Sequence, residues 1–355
     1  MARRYPDRRA PAFDTPRGGG YAPRDERRPG PSPSAPSVLL GSVADVRSSL
    51  AGPPGRRRAP CLAPVPASGA PMTLRLALPK GRMFEGTAAL LADAGIGVRS
   101  AERGYRPRVG LPDTESKLLK PQNVVEMLHA GSRDVGFAGA DWVAELGADL
   151  VEVLDTGLDP IRLVAAAPAS SLVDGALPRR PLVVASEYER LTRQWITRRE
   201  LEARFVRSYG ATEVFPPEDA DCIVDNTATG STLASNQLAV VDVLLESSTR
   251  LYASRAAWAD PEKRARVADL ALVLRSVLDA RRRVMVELNV DASHLEAVVA
   301  ILPCMREPTV SRLHDEVGFA VRAAVPRVEL AVLIPQIRAA GGTDIVVSAI
   351  AQIVP

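Results

Sequence analysis

The chain has 355 residues, 46% hydrophobic and 25% charged, with a formal net charge of +3, a globular composition long enough for two or three domains of roughly 100–200 residues. Residues 1–71 hold twelve Arg and five acidic residues, net +7, so the remainder carries −4 and offers no basic face for a nucleic acid. Three distant cysteines (Cys61, Cys222, Cys304), three histidines and the lack of a long apolar run speak against a disulfide framework, a zinc site and a membrane span, and a reducing cytoplasm is expected.

Residues 1–71 contain fourteen of the thirty prolines and too little apolar surface to offset their ordering entropy, so they read as a disordered Pro/Arg-rich extension. A tail, an organellar transit peptide and an upstream start before Met72 all fit that composition. From Met72 onward strands and helices alternate. "LRLALP" (74–79) reads as a strand, "MFEGTAALLADAG" (83–95) as a helix ending on Gly95, and Pro121 opens a helix in "PQNVVEMLHAG". "DVGFAG" is a strand followed by "ADWVAEL", and further strands are expected at 149–154, 161–167 and 181–186. A long helix is expected within "EYERLTRQWITRRELEARFV", then "ATEVF", "DCIVD" and a helix in "TLASNQLAVV". Strands alternating with helices imply an α/β core with parallel sheets. After "PEKRARVADLALVLRSVLDARRR", a connecting helix, the chain gives strand, helix, strand, helix, strand, with room for one more strand at 306–313. That is the βαββαβ order of a ferredoxin-like domain.

"DCIVDNTATGSTL" (221–233) places Asp225 at the end of an apolar strand, ahead of four hydroxyl side chains and Gly230. Ligands in α/β folds gather beyond the carboxyl ends of strands. The first turn of the following helix would offer backbone N–H groups and a favourable dipole to an anion. Thr229, Ser231 and Thr232 add hydroxyl donors, and Asp225, which would repel a phosphate, suits sugar hydroxyls. The pattern reads as a 5-phosphoribosyl cradle, with a capped helix after a polar turn as the competing structural reading. The nucleoside-triphosphate P-loop spacing is absent. "ALPKGRM" sets Lys80 and Arg82 at a second strand end, where two cations suit a polyphosphate. Taken alone, that pair is explained better by cations flanking a surface turn.

Taken in order, "LRLALPKGRM", "DVGFAGADWVAEL", "LDTGLDPIRLVAA" and "DCIVDNTATGSTLASNQL" resemble ATP phosphoribosyltransferase, the first enzyme of histidine biosynthesis, and "LPCMREPTVSRL" resembles the regulatory domain of its long form. The resemblance covers residues 72 to the end. It implies a two-lobed core similar to periplasmic binding proteins, with lobe I at 72–162 plus 245–280, lobe II at 163–244 and a regulatory domain at 281–355. It assigns Lys80 and Arg82 to catalysis at the polyphosphates, and Asp225, Ala228, Thr229, Gly230, Ser231 and Thr232 to 5-phosphoribosyl pyrophosphate. Asp141 and Asp155 fall on the ATP side of the cleft, and Thr309 in the loop that binds inhibitory histidine. It further implies Mg²⁺ carried mainly through substrate phosphates, and dimers assembling into hexamers, with neither nucleic acid nor membrane as partner.

This sequence departs from the family pattern in three places. "LDTGLDPIRL" is two residues longer than usual, Asn226 stands where an apolar residue is typical, and Cys304 stands where glycine is common. The expected reaction is attack of adenine N1 on C1 of the ribose with departure of pyrophosphate. A two-lobed binding or regulatory protein without catalysis is the alternative.

Overall fold

The computed structural model describes residues 72–99, 104–314 and 317–354. The expectations for residues 1–71, Cys61 among them, fall outside that range. Strand β1 (Leu74–Pro79) is apolar at nearly every position and buried along its length. Helix α1 (Arg82–Asp93), a short ribbon of β2 (Val98–Arg99) with β3 (Arg108–Val109), and β4 (Thr114–Leu119) follow. Next come α2 (Pro121–His129), β5 (Val135–Gly139) and α3 (Ala140–Leu146). Pro121 sits in the first turn of α2, where its missing N–H leaves no hydrogen bond unmade.

The chain then enters β6 (Leu150–Pro168), one strand of 19 residues where the sequence pattern suggests two. "DTGLDP" is a bulge, not a loop. Asp155 faces Arg250, Leu158 faces Thr249 and Ile161 faces Ser247, so β6 advances six residues while its partner advances three. Asp159 takes up part of that excess at φ 46°, a left-handed conformation that Asp tolerates better than most residues.

β7 (Leu182–Ser186), α4 (Glu189–Arg198) and β8 (Ala203–Arg207) come next. The long helix expected here ends early because Glu200 turns left-handed at φ 53°, which frees "ARFVR" to pair with β7. "ATEVF" forms a single 3₁₀ turn at Thr212–Val214 instead of an extended element. After β9 (Cys222–Thr227), α5 (Ser231–Ser235) is only five residues long. Asn236 closes it by donating to the Thr232 carbonyl at 2.9 Å, and Gln237 at φ 58° turns the chain into β10 (Leu238–Ser254). The helix expected across "TLASNQLAVV" is therefore half strand. α6 (Arg255–Ala259) leads to α7 (Pro261–Arg281), whose first N–H groups donate to the Asp260 carboxylate.

The eight strands run in the order β4-β1-β5-β10-β6-β9-β7-β8. The outer strands pair in parallel, β4, β1 and β5 on one side and β8, β7 and β9 on the other. The long strands β6 and β10 pair antiparallel to each other and to their outer neighbours, β9 and β5. This corrects the expectation of wholly parallel sheets and gives the two-lobed α/β core, because β6 and β10 pass through both lobes. One lobe packs around Leu76, Phe137, Leu251 and Leu274, the other around Leu163, Val184, Tyr188 and Trp195.

The C-terminal part contains β11 (Arg283–Asp291), α8 (Leu295–Ile301), β12 (Thr309–Arg312), β13 (Gly318–Pro326), α9 (Leu330–Ala339) and β14 (Gly342–Ala349). Its antiparallel order β12-β13-β11-β14 is ferredoxin-like. Along β11 burial alternates with the strand period: Val284, Val286, Leu288 and Val290 enter a core with Val298, Leu333 and Ile337. On the opposite face Met285, Glu287 and Asn289 are half-buried.

Candidate functional site

Two adjacent cavities lie where β1, β5, β7 and β9 end against the middle of β6 and β10. The larger, about 370 Å³, is lined by Arg82, Glu187, Glu213, Asp225 and the stretch Asn226–Thr229 with Ser231 and Thr232. The smaller, about 120 Å³, is lined by Arg82, Asp141, Trp142, Asp159, Tyr188 and Asn226, and by Ser247–Thr249. Arg82 and Asn226 border both.

The loop after β9 carries the anion-binding potential of the larger cavity. Gly230 sits at φ 81° as the residue before α5, a conformation that glycine adopts without strain. Its N–H donates to Thr227 Oγ1 at 3.0 Å, and Thr229 and Ser231 hydroxyls lie 3.0 Å apart. Thr232 and Ala228 are exposed. With α5 so short, the donors this loop offers are these hydroxyls and first-turn N–H groups that have no carbonyl partner within the helix, more than any helix dipole.

The acceptor side of the same cavity is acidic. Burial pushes the Asp225 carboxyl up to about 6; the Asn226 backbone N–H at 2.7 Å opposes the rise, and Glu213 and Glu187 add to it. A sugar hydroxyl can donate to Asp225, but a bare phosphate beside three carboxylates needs a cation. Among the described residues no group of three or more His, Cys, Asp or Glu is arranged to hold a metal ion unaided.

The smaller cavity is built differently. Asp141, 5% exposed, accepts from Tyr188 Oη at 2.7 Å on one oxygen and from Ser247 Oγ at 2.7 Å on the other. Its own N–H donates to Ser247 Oγ at 3.0 Å. Gly139 is required here, since a Cβ at that position would collide with the Asp141 carboxylate. Tyr188 stacks on Trp142 with ring centroids 4.6 Å apart. Burial, then the Asp141 charge, push the Tyr188 hydroxyl above its ordinary value, so it stays a donor. Asn226 Nδ2 donates to Tyr188 Oη at 3.2 Å. Glu145 ties α3 to α4 by accepting the N–H groups of Arg190 and Leu191 at 2.9 and 3.0 Å.

The structure thus brings Arg82, Asp141, Asp225 and the 228–232 loop around one cleft. Lys80 lines neither cavity; its ammonium lies 3.6 Å over the Tyr105 ring. Asp155 lines neither and is exposed on β6. Burial raises its carboxyl, but hydrogen bonds from Ser248 Oγ and the Gly157 N–H, with the Arg250 charge, bring it below its ordinary value. From the same bulge Asp159 enters the smaller cavity and accepts from Thr249 Oγ1 at 3.0 Å. Thr309 is far along the chain on β12, where it borders a cavity of about 500 Å³ with Glu287, Asn289, Ser311, Arg322 and Asp344. It also borders one of about 430 Å³ with Cys304 and Arg306. Burial raises the Cys304 thiol, which packs as a small hydrophobe against the C-terminal core.

Sequence reasoning missed Tyr188, Glu187, Glu213 and Ser247. The rule that located Asp225 would have found Glu187 and Tyr188, which directly follow the apolar strand β7. No local signal marks Ser247, whose partner Asp141 is 106 residues away.

A family model described as ATP phosphoribosyltransferase matches residues 120–276, and one described as HisG, C-terminal domain, matches residues 280–352. An ATP phosphoribosyltransferase of Pelotomaculum thermopropionicum is 37% identical over 289 residues, covering 80% of this chain and 100% of that protein. One of Pelodictyon phaeoclathratiforme is 36% identical, with 77% and 94% covered. Among solved structures, the ATP phosphoribosyl transferase (HisG:HisZ) complex from Thermotoga maritima superposes with a TM-score of 0.52 at 25% identity, over 58% of this chain and 99% of that one.

Proposed function

The chain belongs to the ATP phosphoribosyltransferase family in its long form, and from that premise we propose which groups of the cleft carry the reaction. The enzyme joins the 5-phosphoribosyl group of phosphoribosyl pyrophosphate to N1 of ATP and releases pyrophosphate, the first step of histidine biosynthesis. A non-catalytic binding protein is not favoured.

The observation that carries the assignment is that Asp225, the hydroxyls of Thr229, Ser231 and Thr232, and Arg82 line one cavity. In this reading Ala228 to Thr232 hold the 5-phosphate and Asp225 accepts the ribose hydroxyls. Arg82, at the seam of the two cavities, faces the diphosphate, and Lys80 supplies a further cation once it leaves Tyr105. The adenine lies on the Asp141, Trp142 and Tyr188 side. N1 forms its bond to ribose C1 as the C1–oxygen bond to pyrophosphate breaks, without a covalent enzyme intermediate. The protein contributes orientation and preset donors. Asp225, Glu213 and Glu187, together with the substrate phosphates, would hold Mg²⁺, which would neutralise charge on the leaving group. Asp155 supports the wall of β6.

We assign residues 72–162 and 245–280 to lobe I, 163–244 to lobe II and 281–355 to a regulatory domain. There Thr309 belongs to a histidine-responsive loop, and dimers build a hexamer. Among the described residues no helix is long and apolar enough to cross a membrane, and the unpaired Cys222 and Cys304 suit the cytoplasm. The test is purified protein with ATP, phosphoribosyl pyrophosphate and Mg²⁺, with and without histidine, following pyrophosphate release and the mass of the adduct. Adduct that histidine suppresses supports both parts. Adduct indifferent to histidine removes the regulatory assignment, and no adduct from a folded protein removes the catalytic one.

A further inference from the structure

Asn226 is exposed near the end of β9 and borders both cavities. Its amide has two N–H donors and two acceptors nearby: Tyr188 Oη at 3.2 Å and Asp225 Oδ1 at 3.4 Å. The second oxygen also takes the Asn226 backbone N–H at 2.7 Å. The amide orientation follows from the neighbours. Tyr188 gives its proton to Asp141, a carboxylate that can only accept, so its oxygen is left to accept. Asp225, once ionised, accepts only. Flipping the amide would set its carbonyl against both oxygens.

A continuous chain of hydrogen bonds therefore runs from Ser247 through Asp141, Tyr188 and Asn226 to Asp225, from the fixed wall of the smaller cavity to the ribose-facing carboxylate of the larger. Asn226 is the one link that touches both ends of the pair. We propose that Asn226 is a positioning residue coupling the two half-sites, so that a phosphoribosyl ligand on Asp225 fixes the amide, and the amide fixes Tyr188 as the wall of the nucleotide half. Ordering done by the first ligand is then not repeated by the second, which makes their binding cooperative and, by linkage, reciprocal. The inference rests on the substrate placement given above.

The experiment uses the full chain with Mg²⁺ and 1-deaza-ATP, in which a C–H replaces N1 and transfer cannot occur. The dissociation constant of phosphoribosyl pyrophosphate is measured by calorimetry with and without saturating analogue. The wild type should show tightening of about fivefold or more. Asn226→Leu should reduce that factor to about one while each ligand alone still binds. Tyr188→Phe should do the same, and the double variant should lose no more than either single one. A residue that merely supports the fold would change individual affinities and leave the factor intact. Full cooperativity in folded Asn226→Leu, or independent binding in the wild type, overturns the proposal. Thr232→Ala is the control for placement: if it leaves phosphoribosyl pyrophosphate affinity unchanged, the loop assignment fails and takes the coupling with it.

Discussion

The two halves of the cleft solve the burial of polar groups in opposite ways. In the smaller half both oxygens of the buried Asp141 are occupied, and Tyr188 is held by stacking and by two hydrogen bonds. In the larger half Asp225, Glu187 and Glu213 share a cavity with an exposed hydroxyl loop, and burial already pushes the Asp225 carboxyl up to about 6. One half pairs its polar groups among themselves; the other brings three carboxylates to one cavity. Charge left unbalanced costs stability and favours binding, so substitutions in the two halves should separate stability from turnover.

The largest separation is expected at Thr232. In the proposed site Thr232 meets the 5-phosphate, which takes no part in the bond changes, so its donor acts on binding, and a hydrogen bond to a charged group is worth about 1.5–3 kcal/mol. Thr232→Ala should therefore lower kcat/KM for phosphoribosyl pyrophosphate roughly 10- to 100-fold, mainly through weaker binding, with an unchanged urea midpoint because the side chain is exposed. An ordinary kcat/KM from this variant would remove the loop from the proposed site. Asp141→Ala tests the other half: with Tyr188 and Ser247 left without their acceptor, unfolding free energy should fall by about 1–3 kcal/mol, read by urea titration.

Asp225 sharpens the contrast through pH. Its folded-state pKa, raised to about 6, lies above the ordinary value of about 3.9. The folded state therefore binds more protons, and stability falls as pH rises from about 4 to about 6. Asp225→Asn should raise the melting temperature at pH 7 and leave it nearly unchanged at pH 4. Catalysis needs the ionised form, so kcat/KM for phosphoribosyl pyrophosphate should decline below pH about 6 in the wild type, and the variant should lose that limb. A melting temperature at pH 7 lower than wild type would contradict this account. The smallest effect is expected at Glu145, which caps α4 from α3. Glu145→Gln should cost about 1 kcal/mol of stability, with turnover close to wild type.

The parts of this architecture carried by local pattern are readable in the sequence. β1 and β5 are near-continuous apolar runs, β11 alternates except at Met285, and Pro121 and Gly95 mark helix ends. Where reading fails, a long-range partner decides. "TLASNQLAVV" has helical spacing, yet Leu238 onward is captured by β6. "DTGLDP" has the composition of a turn, yet pairing on both sides keeps it in the strand. The cleft was legible where chemistry is concentrated in one stretch, at 225–232. It was hidden where bonds join residues 47 or 106 positions apart, as in Tyr188–Asp141 and Ser247–Asp141.

The bulge in β6 has one more consequence. Three surplus residues are stored between Asp155 and Ile161 while pairing with β10 resumes on either side, and the stored segment delivers Asp159 to the cavity wall. Chain length can thus change in the floor of the pocket without shifting the register of the strands that frame it. The slack sits in the cavity wall, so an insertion or deletion here can rewrite what the pocket contains and leave the scaffold as it was.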